Sequence, residues 1–135
     1  MTQKKTRKLS SSSRRVLIVE DEFMIALELE EVMAELGFDV ADLAPSPQDA
    51  FVLAMAHQPD IVVMDVCLGG GREGIETGRW LRKVCRVPVV FVTGCNDNDT
   101  VDRIHEQVPG APVLPKPVYP PRLAEAVASL ARAHA

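Results

Sequence analysis

What this sequence lacks narrows it first. No apolar run approaches the ~18–20 residues that cross a bilayer, and no apolar h-region follows the basic N-terminus, so neither a membrane span nor a secretory signal is expected. Only three cysteines occur, Cys67, Cys85 and Cys95. An odd number, in a spacing that resembles neither a disulfide framework nor a zinc site, reads as reduced thiols of a cytoplasmic protein. Aromatic residues make up 4% of the chain, and none interleaves the basic N-terminal residues, which weighs against a nucleic-acid arm. No internal repeat is visible, and 135 residues are expected to form one domain with a real core.

What is present is ordinary globular material, 47% hydrophobic and 25% charged. The formal net charge of −4 hides an asymmetry. Residues Met1–Arg15 carry Lys4, Lys5, Arg7, Lys8, Arg14 and Arg15 and no acid, leaving an acidic body. With Ser10–Ser13 and no apolar periodicity, residues 1–14 read as a disordered basic leader and 15–135 as the folded domain.

The body alternates two patterns. Val16–Val19 is a short β-rich run that looks buried on both faces, and Glu22–Leu36 has apolar residues at helical spacing, stopped by Gly37. Phe38–Leu43 is a second strand, and Ser46 is a candidate N-cap for a helix to about His57. Ile61–Met64 forms a third strand ending in Asp65, followed by a Gly69–Gly71 connector and a helix over about Ile75–Val84. Pro88–Val92 is the fourth strand, Asp97–Gln107 a helix, Ala111–Leu114 the fifth strand and Tyr119–Ala131 the last helix. Five strand–helix pairs in strict alternation predict an α/β domain with a parallel sheet and right-handed crossovers.

Ligands of such sheets sit beyond the carboxyl ends of the strands. There the first strand delivers Glu20 and Asp21, the third Asp65, the fourth Thr93, and the fifth leads to Lys116. Clustered carboxylates repel one another unless a cation is present. Mg²⁺ suits them, because it takes one or two carboxylates and completes its shell with water and phosphate oxygens. Phosphoryl transfer needs in-line geometry and charge neutralisation more than covalent help. An acceptor carboxylate, a metal, a lysine and a hydroxyl would supply that.

The segments Val16–Glu22, Ile61–Asp65, Phe91-Val92-Thr93-Gly94 and Lys116-Pro117 resemble, in type and spacing, the receiver domain of two-component response regulators, over Arg15 to about Arg132. The resemblance implies a flavodoxin-like (βα)5 fold with sheet order 2-1-3-4-5 and a receiver domain over 15–135. It implies Asp65 as phosphoacceptor and Glu20, Asp21 and Asp65 as Mg²⁺ ligands, with the Cys67 backbone carbonyl as a further one. It implies Thr93 as switch hydroxyl, Lys116 as partner of the acyl phosphate, and a cis Lys116–Pro117 bond. Phe91-Val92-Thr93-Gly94-Cys95, Asp65-Val66-Cys67-Leu68-Gly69-Gly70 and Pro112–Pro117 are similar to the "FATGUY" single-domain receivers of alphaproteobacteria.

Some positions depart from the family pattern. Glu20 replaces the commoner Asp. Val113 stands where most receivers place the aromatic that rotates with the threonine, Gly94 where Ala is commoner, and Val118 where Phe often follows Lys-Pro, with Tyr119 beside it. Glu22 reads as a helix-start residue favoured by the dipole. Gly69–Gly71 lacks the Lys-Ser/Thr of a P-loop. His57, His105 and His134 read as scattered packing or solvent-facing residues, and Trp80 as packing one helix face. Cys67 and Cys95 each follow a rim residue by two positions on strands expected to be adjacent, which would set their thiols close enough to sense oxidation; the other reading is small reduced thiols in a tight loop.

The expected function is therefore a stand-alone receiver rather than an enzyme. A sensor histidine kinase or phosphotransfer protein would phosphorylate Asp65, and output would pass through an unknown partner or phosphate-sink action. No direct DNA binding is expected, and a homodimer through the last helices is a family-level expectation. Two rivals remain at this stage. One is a Mg²⁺-dependent phosphatase, disfavoured because Cys67 stands where a second acid is usual. The other is an unphosphorylated pseudo-receiver, which Val113 keeps open.

Overall fold

The computed structural model describes residues 14–95 and 97–133. The expected leader lies outside the described residues up to position 13; Arg14, assigned to it from sequence, instead opens the first strand. In chain order the elements are β1 (Arg14–Val19), α1 (Phe23–Glu35), β2 (Phe38–Ala44), α2 (Pro47–His57), β3 (Ile61–Asp65), α3 (Glu73–Val84), β4 (Val89–Thr93), α4 (Asn98–Gln107), β5 (Val113–Pro115) and α5 (Pro120–Ala133). The five strands pair in parallel in the order β2-β1-β3-β4-β5, as the sequence pattern and the resemblance imply.

The apolar runs follow from this arrangement. Side chains alternate across a strand, so a sheet covered by helices on both faces needs apolar residues throughout. Leu17, Val19, Val62, Met64, Val89 and Phe91 pack with Ala50, Ala54, Leu81 and Ile104 on the face of α2, α3 and α4. Val16, Ile18, Ile61, Val63, Val90 and Val92 pack with Leu29, Met33, Leu123 and Val127 of α1 and α5. A Leu-to-Ala change in such a core costs roughly 2–5 kcal/mol.

Local chemistry sets the helix ends. Ser46 Oγ accepts from the Asp49 amide and caps α2. Asp97 accepts from the Thr100 amide and hydroxyl and caps α4. Gly37 ends α1 at φ +92°, with its amide on the Ala34 carbonyl.

Two segments differ from expectation. Residues 69–71 are not merely a connector: Leu68–Gly70 form a 3₁₀ turn pinned by the fully buried Leu68. The fifth strand is Val113–Pro115 rather than Ala111–Leu114, because Ala111 turns back to bond the Val108 carbonyl. Pro115 has no amide to offer, and β5 is an edge strand where that loss is tolerated.

Candidate functional site

The carboxyl ends of β1, β3, β4 and β5 converge as the sequence implies. Glu20 continues past β1, held by its amide on the Ala44 carbonyl at 2.9 Å, and its side chain is buried while that of neighbouring Asp21 is exposed. Asp65 ends β3 at 2% exposure. Lys116 is anchored by its amide to the Thr93 carbonyl at 2.8 Å, and the Lys116–Pro117 bond is cis.

The side chains form one connected group. Lys116 Nζ donates to Glu20 Oε1 at 2.7 Å and to Asp65 Oδ1 at 3.1 Å. The Cys67 amide also donates to Asp65 Oδ1, at 3.2 Å, and the Glu22 amide donates to Glu20 Oε2 at 3.1 Å. Asp21 Oδ2 accepts from the Gly69 amide at 3.2 Å. Carboxylate oxygens of Glu20, Asp21 and Asp65 lie within 4.8 Å of one another. Two of these acids are buried and their donors are hard oxygens, so the set fits a small divalent cation. The Cys67 carbonyl accepts from the Gly70 amide at 3.2 Å, which leaves it a second lone pair.

The electrostatics follow from burial. Desolvation pushes the Glu20 carboxyl up to about 7, against the pull of the Lys116 ammonium and the Glu22 amide and with the push of Asp65. Burial works to lower the Lys116 ammonium, but Glu20 and Asp65 outweigh it and hold it above its ordinary value. Lys116 thus stays a cation beside the two acids it bonds.

Thr93 is fully buried and satisfied within its own loop. Its hydroxyl accepts from the Cys95 amide at 2.8 Å and donates to the Cys95 carbonyl at 3.1 Å. Val113 faces Phe91 in the β4–β5 register, and no aromatic stands at its position to move with Thr93. Tyr119 is 64% exposed.

Other candidates fall away from the rim. His57 lies at the opposite end of the sheet, where its carbonyl accepts from Arg15 Nη1 at 2.7 Å and its ring faces Asp42 at 3.8 Å. Trp80 packs on Phe51 with ring centroids 4.4 Å apart.

Sequence reasoning missed two contributors. One is the Gly69 amide, which holds Asp21. The other is Gly74, where a Cβ would fall onto the Asp65 carbonyl oxygen and lie 2.7 Å from Val66 Cα. A glycine here lets the first turn of α3 lie directly on the end of β3, and the Gly74 amide bonds the Val66 carbonyl at 3.0 Å. The sequence pattern starts this helix at Ile75, so Gly74 stood outside it and nothing in the pattern marked it.

The comparisons with known proteins agree with this geometry. Residues 16–128 match the response regulator receiver domain family. The chain is 37% identical over 93 residues to the transcriptional regulatory protein PdtaR of Mycobacterium tuberculosis H37Rv, covering 69% of this chain and 45% of that protein. It is 34% identical over 79 residues to the phyllosphere-induced regulator PhyR of Methylorubrum extorquens AM1, covering 58% of this chain and 30% of that protein. The chain thus spans less than half the length of these relatives. Among solved structures, the signal receiver domain of a modulated diguanylate cyclase from Desulfovibrio desulfuricans G20 superposes with a TM-score of 0.81 at 30% identity, covering 90% of this chain and 95% of that one. Among the described residues no helix is long and apolar enough to cross a membrane. The sheet order, the acids and lysine gathered at its carboxyl rim, and a match running over nearly the whole described chain lead to one assignment: this chain belongs to the response regulator receiver family.

Proposed function

We propose that this receiver accepts a phosphoryl group on Asp65 in a Mg²⁺-dependent reaction, with a sensor histidine kinase or phosphotransfer protein as donor. The observation that carries this reading is the position of Lys116 Nζ, which bonds Asp65 and Glu20 at once while Asp21 stands across the same cluster. In the transfer, a new O–P bond forms to the Asp65 carboxylate, the N–P bond of a donor phosphohistidine breaks, and the leaving imidazole takes up a proton. Both hydrogen bonds from Lys116 and Cys67 fall on Oδ1. Oδ2, to which no described residue donates, is the oxygen assigned to phosphorus.

Glu20, Asp21, Asp65 and the Cys67 carbonyl would hold the ion. When bound, Mg²⁺ supplies charge neutralisation at the phosphoryl oxygens. Lys116 orients the acceptor and offers its ammonium to the added negative charge. Thr93 exchanges its bonds to Cys95 for one to the phosphoryl group, which releases the Cys95 backbone and alters the neighbouring face of α4, β5 and α5. That face passes the signal to a partner protein. Labelling by a small acyl-phosphate donor with Mg²⁺ tests the reading: wild type takes the label and Asp65→Asn does not.

A further inference from the structure

Two thiols stand at the mouth of this site. Cys67 Sγ and Cys95 Sγ are 3.0 Å apart, in loops 28 residues distant in sequence. A covalent S–S bond is ~2.05 Å, so the sulfurs need to close by only about 1 Å. They are already closer than an ordinary packing contact between carbon atoms of ~3.5–4.0 Å.

The pair is asymmetric. Cys95 is exposed, whereas Cys67 is half-buried and donates its S–H to the Cys95 sulfur. The accessible sulfur is therefore the one that meets a dissolved oxidant, and the inner one waits behind it.

Both residues touch the machinery described above. The Cys67 amide bonds Asp65, and its Sγ lies 3.8 Å from the Thr93 hydroxyl. The Cys95 amide and carbonyl hold that same hydroxyl.

We infer that Cys67 and Cys95 form a peroxide-responsive disulfide that gates phosphorylation of this receiver. The chemistry balances with a hydroperoxide as oxidant. With hydrogen peroxide, the Cys95 sulfur gives up its proton and attacks the outer peroxide oxygen, the O–O bond breaks, Cys95 becomes a sulfenic acid, and the departing hydroxide takes up that proton and leaves as water. Cys67 sulfur then displaces the sulfenic hydroxyl, its thiol proton goes with that hydroxyl as a second water, and the S–S bond forms. Two thiols lose two electrons in total and one peroxide gains them. The bond ties the loop after β3 to the loop after β4. It fixes Cys95, and with it the hydroxyl bonds that Thr93 must give up, and it constrains the Cys67 carbonyl assigned to the cation.

The gating rests on the proposed phosphorylation of Asp65; the disulfide does not, so two readouts separate them. The first is intact mass and peptide mapping after hydrogen peroxide, without reduction. The expected product is two hydrogens lighter, with Cys67 linked to Cys95 and Cys85 still open to alkylation. The second is acyl-phosphate labelling with Mg²⁺. The oxidised protein is expected to label at least tenfold more slowly, and dithiothreitol to restore the rate, which excludes methionine oxidation as the cause. Cys95→Ser is expected to lose the response, labelling at one rate before and after peroxide. Cys67 and Cys95 that remain separately alkylatable after peroxide overturn the proposal, as does a disulfide that leaves the labelling rate unchanged. A reduced wild type that takes no label counts against the phosphoacceptor reading alone, because the mass readout stands without it.

Discussion

Lys116 Nζ lies 2.7 Å from Glu20 Oε1, a contact between residues 96 positions apart that joins the ends of β1 and β5 across the phosphoacceptor candidate. The Glu20 side chain is buried, so the ammonium is its compensating charge. Removing one partner of such a pair strands the other, which costs more than the pair itself contributes.

Lys116→Met is therefore expected to destabilise the Mg²⁺-free protein by about 3 kcal/mol at pH 8, where more of the stranded Glu20 is ionised than at lower pH. The loss is smaller at pH 6, because burial holds Glu20 up to about 7 and the stranded acid can take a proton. Urea unfolding at the two pH values measures the difference. Equal losses would contradict the pairing.

The same raised carboxyl gives a sign to the pH dependence of cation binding. Mg²⁺ needs the ionised form, so its apparent affinity tightens as pH rises towards about 7 and flattens above it. Without Mg²⁺ the sign reverses for stability. The folded chain holds the Glu20 proton more tightly than the unfolded chain, whose value is 4.5, so stability from this group declines as pH rises from there to about 7. Titration calorimetry with MgCl₂ at several pH values checks the first trend, and Glu20→Gln should flatten both. An affinity independent of pH in wild type would count against Glu20 as a ligand.

Gly74→Ala places a methyl on the backbone of Asp65 and Val66, which cannot move without displacing the end of β3. A loss of about 2–3 kcal/mol is expected, in the upper range for overpacking, together with slower labelling. Gly78→Ala meets the edge of the Phe91 ring at 2.6 Å, and a ring can tilt where backbone cannot. The smaller stability loss should therefore belong to Gly78→Ala. The reverse ranking in denaturant unfolding would show that α3 is not seated on β3 through Gly74.

Thr93→Ala removes both side-chain bonds that order Cys95. Stability should fall by about 1–2 kcal/mol, and amide exchange at Cys95 should accelerate. Thr93→Ser, which keeps the hydroxyl, should restore both. If the serine variant behaves like alanine, the hydroxyl is not what holds the loop.

The strand-end residues were legible in the sequence because a parallel strand buried on both faces must end abruptly in polar chemistry. Glu20, Asp21, Asp65, Thr93 and Lys116 all follow apolar runs and all meet at the rim. The juxtaposition of Cys67 and Cys95 was legible for the same reason, since β3 and β4 are paired neighbours. Less visible were the contributions of backbone. The glycine-rich stretch reads as a connector, but the buried Leu68 folds it into a turn that turns the Gly69 amide to Asp21. The Lys116–Glu20 bond was hidden because the sequence pattern assigns both residues to an incoming ligand and does not reveal how they satisfy each other in its absence. The shift of β5 to Val113–Pro115 was hidden because an edge strand tolerates a proline that a central one does not.

The most direct measurement is mass-resolved phosphorylation of the reduced protein with an acyl-phosphate donor and Mg²⁺, beside Asp65→Asn and a chelated control. The expected result is one hydroxylamine-labile phosphoryl group on wild type, mapped to Asp65, and none in either control. A label that persists in Asp65→Asn, or a wild type that stays unlabelled with Mg²⁺ present, would contradict Asp65 as the phosphoacceptor.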